Sequence, residues 1–134
     1  MKFSERIIEW QNLHGRNNLP WQTNDPYKVW VSEIMLQQTQ VSTVIPFYEN
    51  FMKSFPNVLT LSKANLDEVL KNWAGLGFYR RARNLHQTAK IITDKYHQVF
   101  PDNYEDLVDL PGIGESTAGA ILALAFNKLS LIHI

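Results

Sequence analysis

Glu33 is the only charged side chain between Val29 and Tyr48, in the stretch VWVSEIMLQQTQVSTVIPFY. A carboxyl in an otherwise uncharged helix carries a desolvation penalty unless it has a partner or a task. The task open to such a group is proton donation, because an apolar surround favours the neutral acid until a leaving group needs its proton. Three glutamines follow it, Gln37, Gln38 and Gln40. Far downstream, Leu110-Pro111-Gly112-Ile113-Gly114 forms a turn. Its two glycines permit left-handed angles and close approach of a ligand. Its amides would face outward at the start of the next helix, where the dipole favours an anion. A DNA phosphate is the natural guest, so acid, glutamines and hairpin together point to chemistry on DNA.

The elements that must position these groups are helical nearly throughout. Residues 3–13 place Phe3, Ile7, Ile8 and Trp10 near one face, and Pro20 and Pro26 mark a loop over 17–26. The spacing predicts a helix over 27–45, with Trp30, Ile34, Val41 and Ile45 on one stripe and Glu33, Gln37, Gln40 and Val44 on another. Pro46 is expected to kink or break it, with a short helix resuming over 47–55. Asn65 is the expected N-cap of a helix carrying Leu66, Val69, Leu70 and Trp73, ended by Gly75 or Gly77. A helix follows over 79–96, and Asp102 with Glu105 reads as a capping box for a short helix through Asp109. The last helix, 115–126, is nearly all small or apolar and therefore buried. No strand pattern stands out, and the expected fold class is all-α.

The chain has 134 residues, enough for one domain with a real core. Its formal net charge is +0, which argues mildly against a dedicated nucleic-acid binder. The distribution is uneven: Arg80, Arg81 and Arg83 cluster, while acids gather at Asp102, Glu105, Asp106 and Asp109. A neutral sum can hide one basic edge. No apolar run approaches the ~20 residues of a membrane span. The N-terminus has no signal-peptide character, so a cytoplasmic, nucleoid-associated location is expected. Cysteine is absent, so these residues hold no disulfide and no thiolate metal site.

A bare GxG turn is more often an ordinary junction between helices. Here Leu110-Pro111 precedes it and Ser116-Thr117-Ala118-Gly119 follows, and the string resembles a helix-hairpin-helix motif spanning about 106–120. Such a hairpin grips the DNA backbone without reading sequence. SEIMLQQTQV closely resembles the catalytic helix of MutY-type adenine DNA glycosylases. The resemblance runs from Leu19-Pro20-Trp21 through Pro26–Trp30 and Gly75–Tyr79, then Arg81–Leu85, to 110–124, and covers the chain to about Lys128.

The resemblance implies a helical DNA-glycosylase fold, also used by endonuclease III, and a monofunctional enzyme removing adenine mispaired with 8-oxoguanine or guanine in duplex DNA. It assigns Glu33 the protonation of adenine at N7. The adenine must first leave the stack. Gln38, with Gln37 beside it, and Phe78 are implied to hold the distorted duplex. Tyr79 could equally be core or interface. Leu19, Trp21 and Ser116 match pocket positions, and Trp21 could equally be a core anchor. Arg81 and Arg83, with Arg80, are implied to meet phosphates, at least one being used in an internal salt bridge instead. Gly112, Ile113, Gly114 and Thr117 form the hairpin's DNA contact. Endonuclease III carries a lysine where Ser116 stands, and serine cannot form its Schiff base. Nothing here suggests a metal site.

The chain departs from the pattern at its end. An aspartate in an LDGN string, which stabilises the oxocarbenium-like sugar, would fall at or just beyond Ile134, and this chain reads LSLIHI instead. The cysteines that hold a 4Fe–4S cluster in the complete family members lie beyond it. Residues 129–134 read as the translation of CTG TCT CTT ATA CAC ATC, which resembles a transposase adaptor end. The expectation is therefore a glycosylase fragment over 1–128 with a non-native tail, nearly inactive alone, and monomeric when complete. The alternatives are a catalytically dead helix-hairpin-helix module that binds DNA and a purely structural helical domain.

Overall fold

The computed structural model describes residues 23–127, and among these every regular element is an α-helix. The helix expected over 3–13, the pocket positions Leu19 and Trp21, and the tail 129–134 lie outside the described residues. In chain order the helices are α1 (Pro26–Leu36), α2 (Val41–Ser54), α3 (Val58–Lys63), α4 (Leu66–Trp73), α5 (Tyr79–Lys95), α6 (Tyr104–Val108) and α7 (Glu115–Ala125).

Four of these begin on an Asx side chain. Asp25 accepts from the Tyr27 N–H, Asn57 from Thr60, Asn65 from Glu68 and Asn103 from Asp106. Each bond satisfies a first-turn donor that has no partner inside its helix. Pro26 adds a preset φ at the first position of α1. Asn65 caps α4 as expected, with Asp67 and Glu68 in the first turn. The cap of α6 is Asn103 rather than Asp102, one residue later than the sequence suggests, because Asn103 is the residue whose side chain reaches the third helical N–H. The short α3 has no counterpart in the sequence expectation.

The largest departure lies after Glu33. The single helix expected over 27–45 is two helices, and the break falls at Gln37–Gln40 rather than at Pro46. Pro46 sits inside α2. It removes one bond to the preceding turn, but both Pro46 and Ser42, whose carbonyl loses that bond, are exposed, so water replaces the missing donor. The break at Gln37 is where Arg81, from a distant part of the chain, donates to the backbone carbonyls.

The core is built around aromatic contacts. Trp30, fully buried, meets Tyr27 and Phe100 edge-on at centroid distances of 6.0 and 5.4 Å. Phe51 meets Phe55 at 5.0 Å and Trp73 at 6.1 Å. The long α5 packs on α3 and α4 through Ala82, Leu85, Ala89 and Ile92, while α1 packs on α7, whose Ala118, Ile121 and Leu122 are fully buried. Burying one such side chain contributes roughly 1.5–3 kcal/mol. Three segments linking these helices matter for function: the 37–40 loop, the 74–78 turn and the 109–114 hairpin.

Candidate nucleic-acid interface and catalytic acid

Among the described helices, three have no side-chain N-cap: α2 behind Gln40, α5 behind Phe78 and α7 behind Gly114. Their starts are brought together. Gln37 Nε2 donates to Thr117 Oγ1 at 3.4 Å, joining the 37–40 loop to the first turn of α7. Arg81 joins the same loop to the start of α5. First-turn N–H groups with no side-chain acceptor leave donors and a positive dipole end for an anion.

Arg81 makes this assembly. Its Nη1 donates to Ile34 O at 2.9 Å and Met35 O at 3.1 Å, and to Gln37 O. Its Nη2 donates to Thr39 Oγ1 at 3.5 Å and Gly77 O at 3.4 Å. The guanidinium also lies 5.4 Å from the ring centres of both Trp73 and Phe78. A cation at the last carbonyls of α1 complements the negative end of its dipole. Arg81 thus satisfies carbonyls left open where α1 ends at Leu36. Burial pushes the Arg81 guanidinium below its ordinary value. The internal engagement expected of one arginine falls on Arg81, whose partners among the described residues are carbonyls, the Thr39 hydroxyl and two rings rather than a carboxylate. The phosphate contact expected of Arg81 meets a guanidinium whose terminal nitrogens are already engaged. Arg80 and Arg83 are exposed.

Two non-glycine residues on this face hold left-handed backbone, Gln38 with φ 60° and Phe78 with φ 53°. Such angles are disfavoured for side chains with a Cβ and recur at functional sites. Gln38 is exposed, and Phe78 and Tyr79 are 60% and 45% exposed. Phe78 and Tyr79 thus form an exposed aromatic pair beside exposed arginines among the described residues.

The hairpin is seated on α5. Gly112 has φ 78°, and a Cβ there would stand 2.9 Å from Asn84 Cβ, so both backbone and space require glycine. Thr88 Oγ1 donates to Pro111 O at 2.8 Å. Gly114 differs from the expectation of two left-handed glycines: its φ is −91° with extended ψ, and a Cβ added there would meet nothing within 4 Å. Ile113 and Thr117 are buried, so the hairpin can offer a ligand only its backbone there, whereas Ser116 is exposed in the first turn of α7.

Glu33 sits on α1 one turn before Gln37, half-buried, with its Oε1 out of solvent. The i, i+4 relation puts Glu33 and Gln37 on one face. A narrow cleft between α1, α5 and the hairpin is lined by Trp30, Gln37, Arg81, Asn84 and Gly112, among others. The sequence reading missed Asn84 and Thr88. Their signal was the spacing from Arg81, three and seven residues, which places all three along one side of α5.

A family profile described as HhH-GPD superfamily base excision DNA repair protein matches residues 31–129. The chain belongs to this superfamily. It is similar to adenine DNA glycosylases of Buchnera aphidicola subsp. Baizongia pistaciae, at 55% identity over 97% of this chain and 37% of the relative. The human adenine DNA glycosylase is 40% identical over 94% of this chain and 25% of its own length. The chain thus spans about a third or less of the curated relatives it matches. Among solved structures, a thermostable thymine-DNA glycosylase superposes with a TM-score of 0.79 at 30% identity, covering 94% of this chain and 58% of that one. An endonuclease III in a non-covalent DNA complex gives 0.75 at 20% identity, over 95% and 62%, and shares the fold. The 109–114 turn, with α6 before it and α7 after it, lies within the matched residues. No group of three or more metal-ligating side chains occurs among the described residues, and with no cysteine in the chain none of its residues fits an iron–sulfur cluster.

Proposed function

We propose that this chain is the part of an adenine DNA glycosylase that carries the general acid and the DNA-gripping hairpin, and that the complete protein hydrolyses the N-glycosidic bond of adenine mispaired with 8-oxoguanine or guanine. The observation that carries the reading is the placement of Glu33 one turn from Gln37, beside the junction where the Gln38 loop, Phe78 and the hairpin converge. The names of the relatives point the same way.

The steps follow from this placement. The uncapped helix starts and the hairpin backbone hold phosphates, with Arg80 and Arg83 adding charge. Gln38 and Phe78 enter the stack as the adenine leaves it. Glu33 then donates its proton to adenine N7, and the electron pair of the C1′–N9 bond passes to the base. The adenine departs neutral, and water adds to the sugar cation, returning a proton to solvent. General-acid catalysis of this kind contributes roughly 10²–10⁴-fold. Ser116 has no amine to attack the sugar, which supports hydrolysis without strand cleavage.

The test is Glu33→Gln in the complete protein, on a duplex with one A:8-oxoguanine or A:G mispair. Excision should fall by at least about 10²-fold with duplex affinity retained. Wild-type protein that binds the duplex but releases no adenine would instead support a DNA-binding module.

A further inference from the structure

Gln38 and Phe78 lie on different segments, yet both hold left-handed backbone at exposed positions. The Arg81 side chain contacts both segments. Gln37 O and Thr39 Oγ1, which flank Gln38, accept from its two terminal nitrogens. Gly77 O, which precedes Phe78, accepts from Nη2, and the Phe78 ring stacks on the guanidinium. The guanidinium is anchored in turn by the end of α1 and by Trp73, which is fully buried and whose Nε1 donates to the same Gly77 O at 3.0 Å. One side chain thus bridges the two segments.

We propose that Arg81 is a positioning residue that locks the Gln38 loop and the Phe78 turn into one rigid unit for opening the duplex, without touching DNA itself. The inference rests on the glycosylase reading above. Left-handed backbone at non-glycine positions persists only where the surroundings over-determine it. A planar fork can satisfy carbonyls in several directions while its faces meet two rings, and a lysine ammonium cannot. Further down the same side of α5, Asn84 seats Gly112 and Thr88 holds Pro111. One helix therefore sets the spacing between the elements that open the duplex and the hairpin that grips it.

A phosphate-binding arginine and a positioning arginine leave opposite signatures. The experiment compares the complete wild-type protein with Arg81→Ala and Arg81→Lys. The duplex has a mispaired adenosine bearing a 2′-fluoro sugar, which resists cleavage, and 2-aminopurine beside it to report unstacking. Affinity is measured against salt concentration, and 2-aminopurine fluorescence at saturation. The expected result is a salt slope equal to wild type in both variants, with the unstacked population reduced about tenfold, the loss of one charge-assisted contact. Arg81→Lys should be as impaired as Arg81→Ala. Should Arg81→Ala fail to fold, Arg81→Lys carries the test. A salt slope lower by about 1, largely restored by lysine, would mean a phosphate contact and overturn the proposal. Unstacking equal to wild type in a folded variant also overturns it. Wild-type protein that binds the mispaired duplex with no fluorescence change removes the glycosylase reading, and this inference with it.

Discussion

Replacing Gly112 and Gly114 by alanine, one at a time, should separate folding from binding within one hairpin. At Gly112 the φ of 78° is left-handed, which disfavours an L side chain by roughly 1–2 kcal/mol. The new Cβ would also stand 2.9 Å from Asn84 Cβ, a side-chain root that cannot swing away. Overpacking of this kind costs about 1–3 kcal/mol. Gly112→Ala should therefore lose about 2–5 kcal/mol. With a urea dependence of about 2 kcal/mol/M, that is a midpoint shift of about 1–2.5 M. At Gly114 the backbone is extended and a Cβ meets nothing within 4 Å. Gly114→Ala should change stability by less than about 0.5 kcal/mol, or raise it slightly by restricting the unfolded chain. Its effect should appear on DNA. A methyl on the approach to the uncapped start of α7 holds a phosphate away, and losing one hydrogen bond to a charged group weakens binding about tenfold. Urea titration and duplex binding at fixed salt, on the complete protein, provide both readouts. Equal midpoints for the two variants would refute the steric reasoning. A Gly114→Ala protein that binds duplex like wild type would refute close backbone approach.

Gln38→Gly should raise stability by about 0.5–1 kcal/mol, because glycine accepts φ 60° without strain, while duplex unstacking falls; a variant that loses stability would count against strain at this position. Thr88→Val deletes the bond to Pro111 O and should lower stability by about 1–3 kcal/mol through the carbonyl left without its donor, unless water enters, and a urea midpoint like wild type would show that it does. Tyr27, donating to Phe55 O at 2.6 Å, is pushed well above the ordinary tyrosine value by burial first, then by Tyr48 and Asp25, and Tyr48 is raised by burial and Asp25. A pKa raised in the folded state means stabilisation that is complete below the unfolded value of about 10 and lost as pH rises beyond it. The urea midpoint should therefore be level from neutral pH to about 9 and decline above about 10, with a shallower decline in Tyr27→Phe; a decline that begins near neutral pH would implicate other groups.

Much of the architecture was legible because its signals are local. Asn65 announces α4 by reaching only three residues ahead, and the apolar periodicity of 79–96 and 115–126 marks α5 and α7 to within a residue. The hairpin was legible from its glycines and its neighbours. The break after Glu33 was not. Its residues continue a helical stripe, and the nearby proline is the natural place to end it. The group that meets the open end of α1 is Arg81, more than forty residues away, whose guanidinium donates to its last carbonyls. A non-local donor leaves no trace in the periodicity of the segment it meets.

The same division holds at the site. By itself the sequence singled out the candidates for chemistry: an acid isolated among apolar and amide residues, an aromatic pair, a glycine turn before a helix. Those are properties of residue type and near-neighbour spacing. Only the tertiary structure decided what each is free to do. It turned Arg81 inward, buried Ile113 and Thr117, left Phe78 and Tyr79 uncovered, and made Gly112 a packing requirement and Gly114 an open approach. The physical reason is that a donor or a Cβ is committed by what lies within a few ångströms of it, and in this fold those neighbours come from α1, α5 and α7, which meet only when the chain is folded.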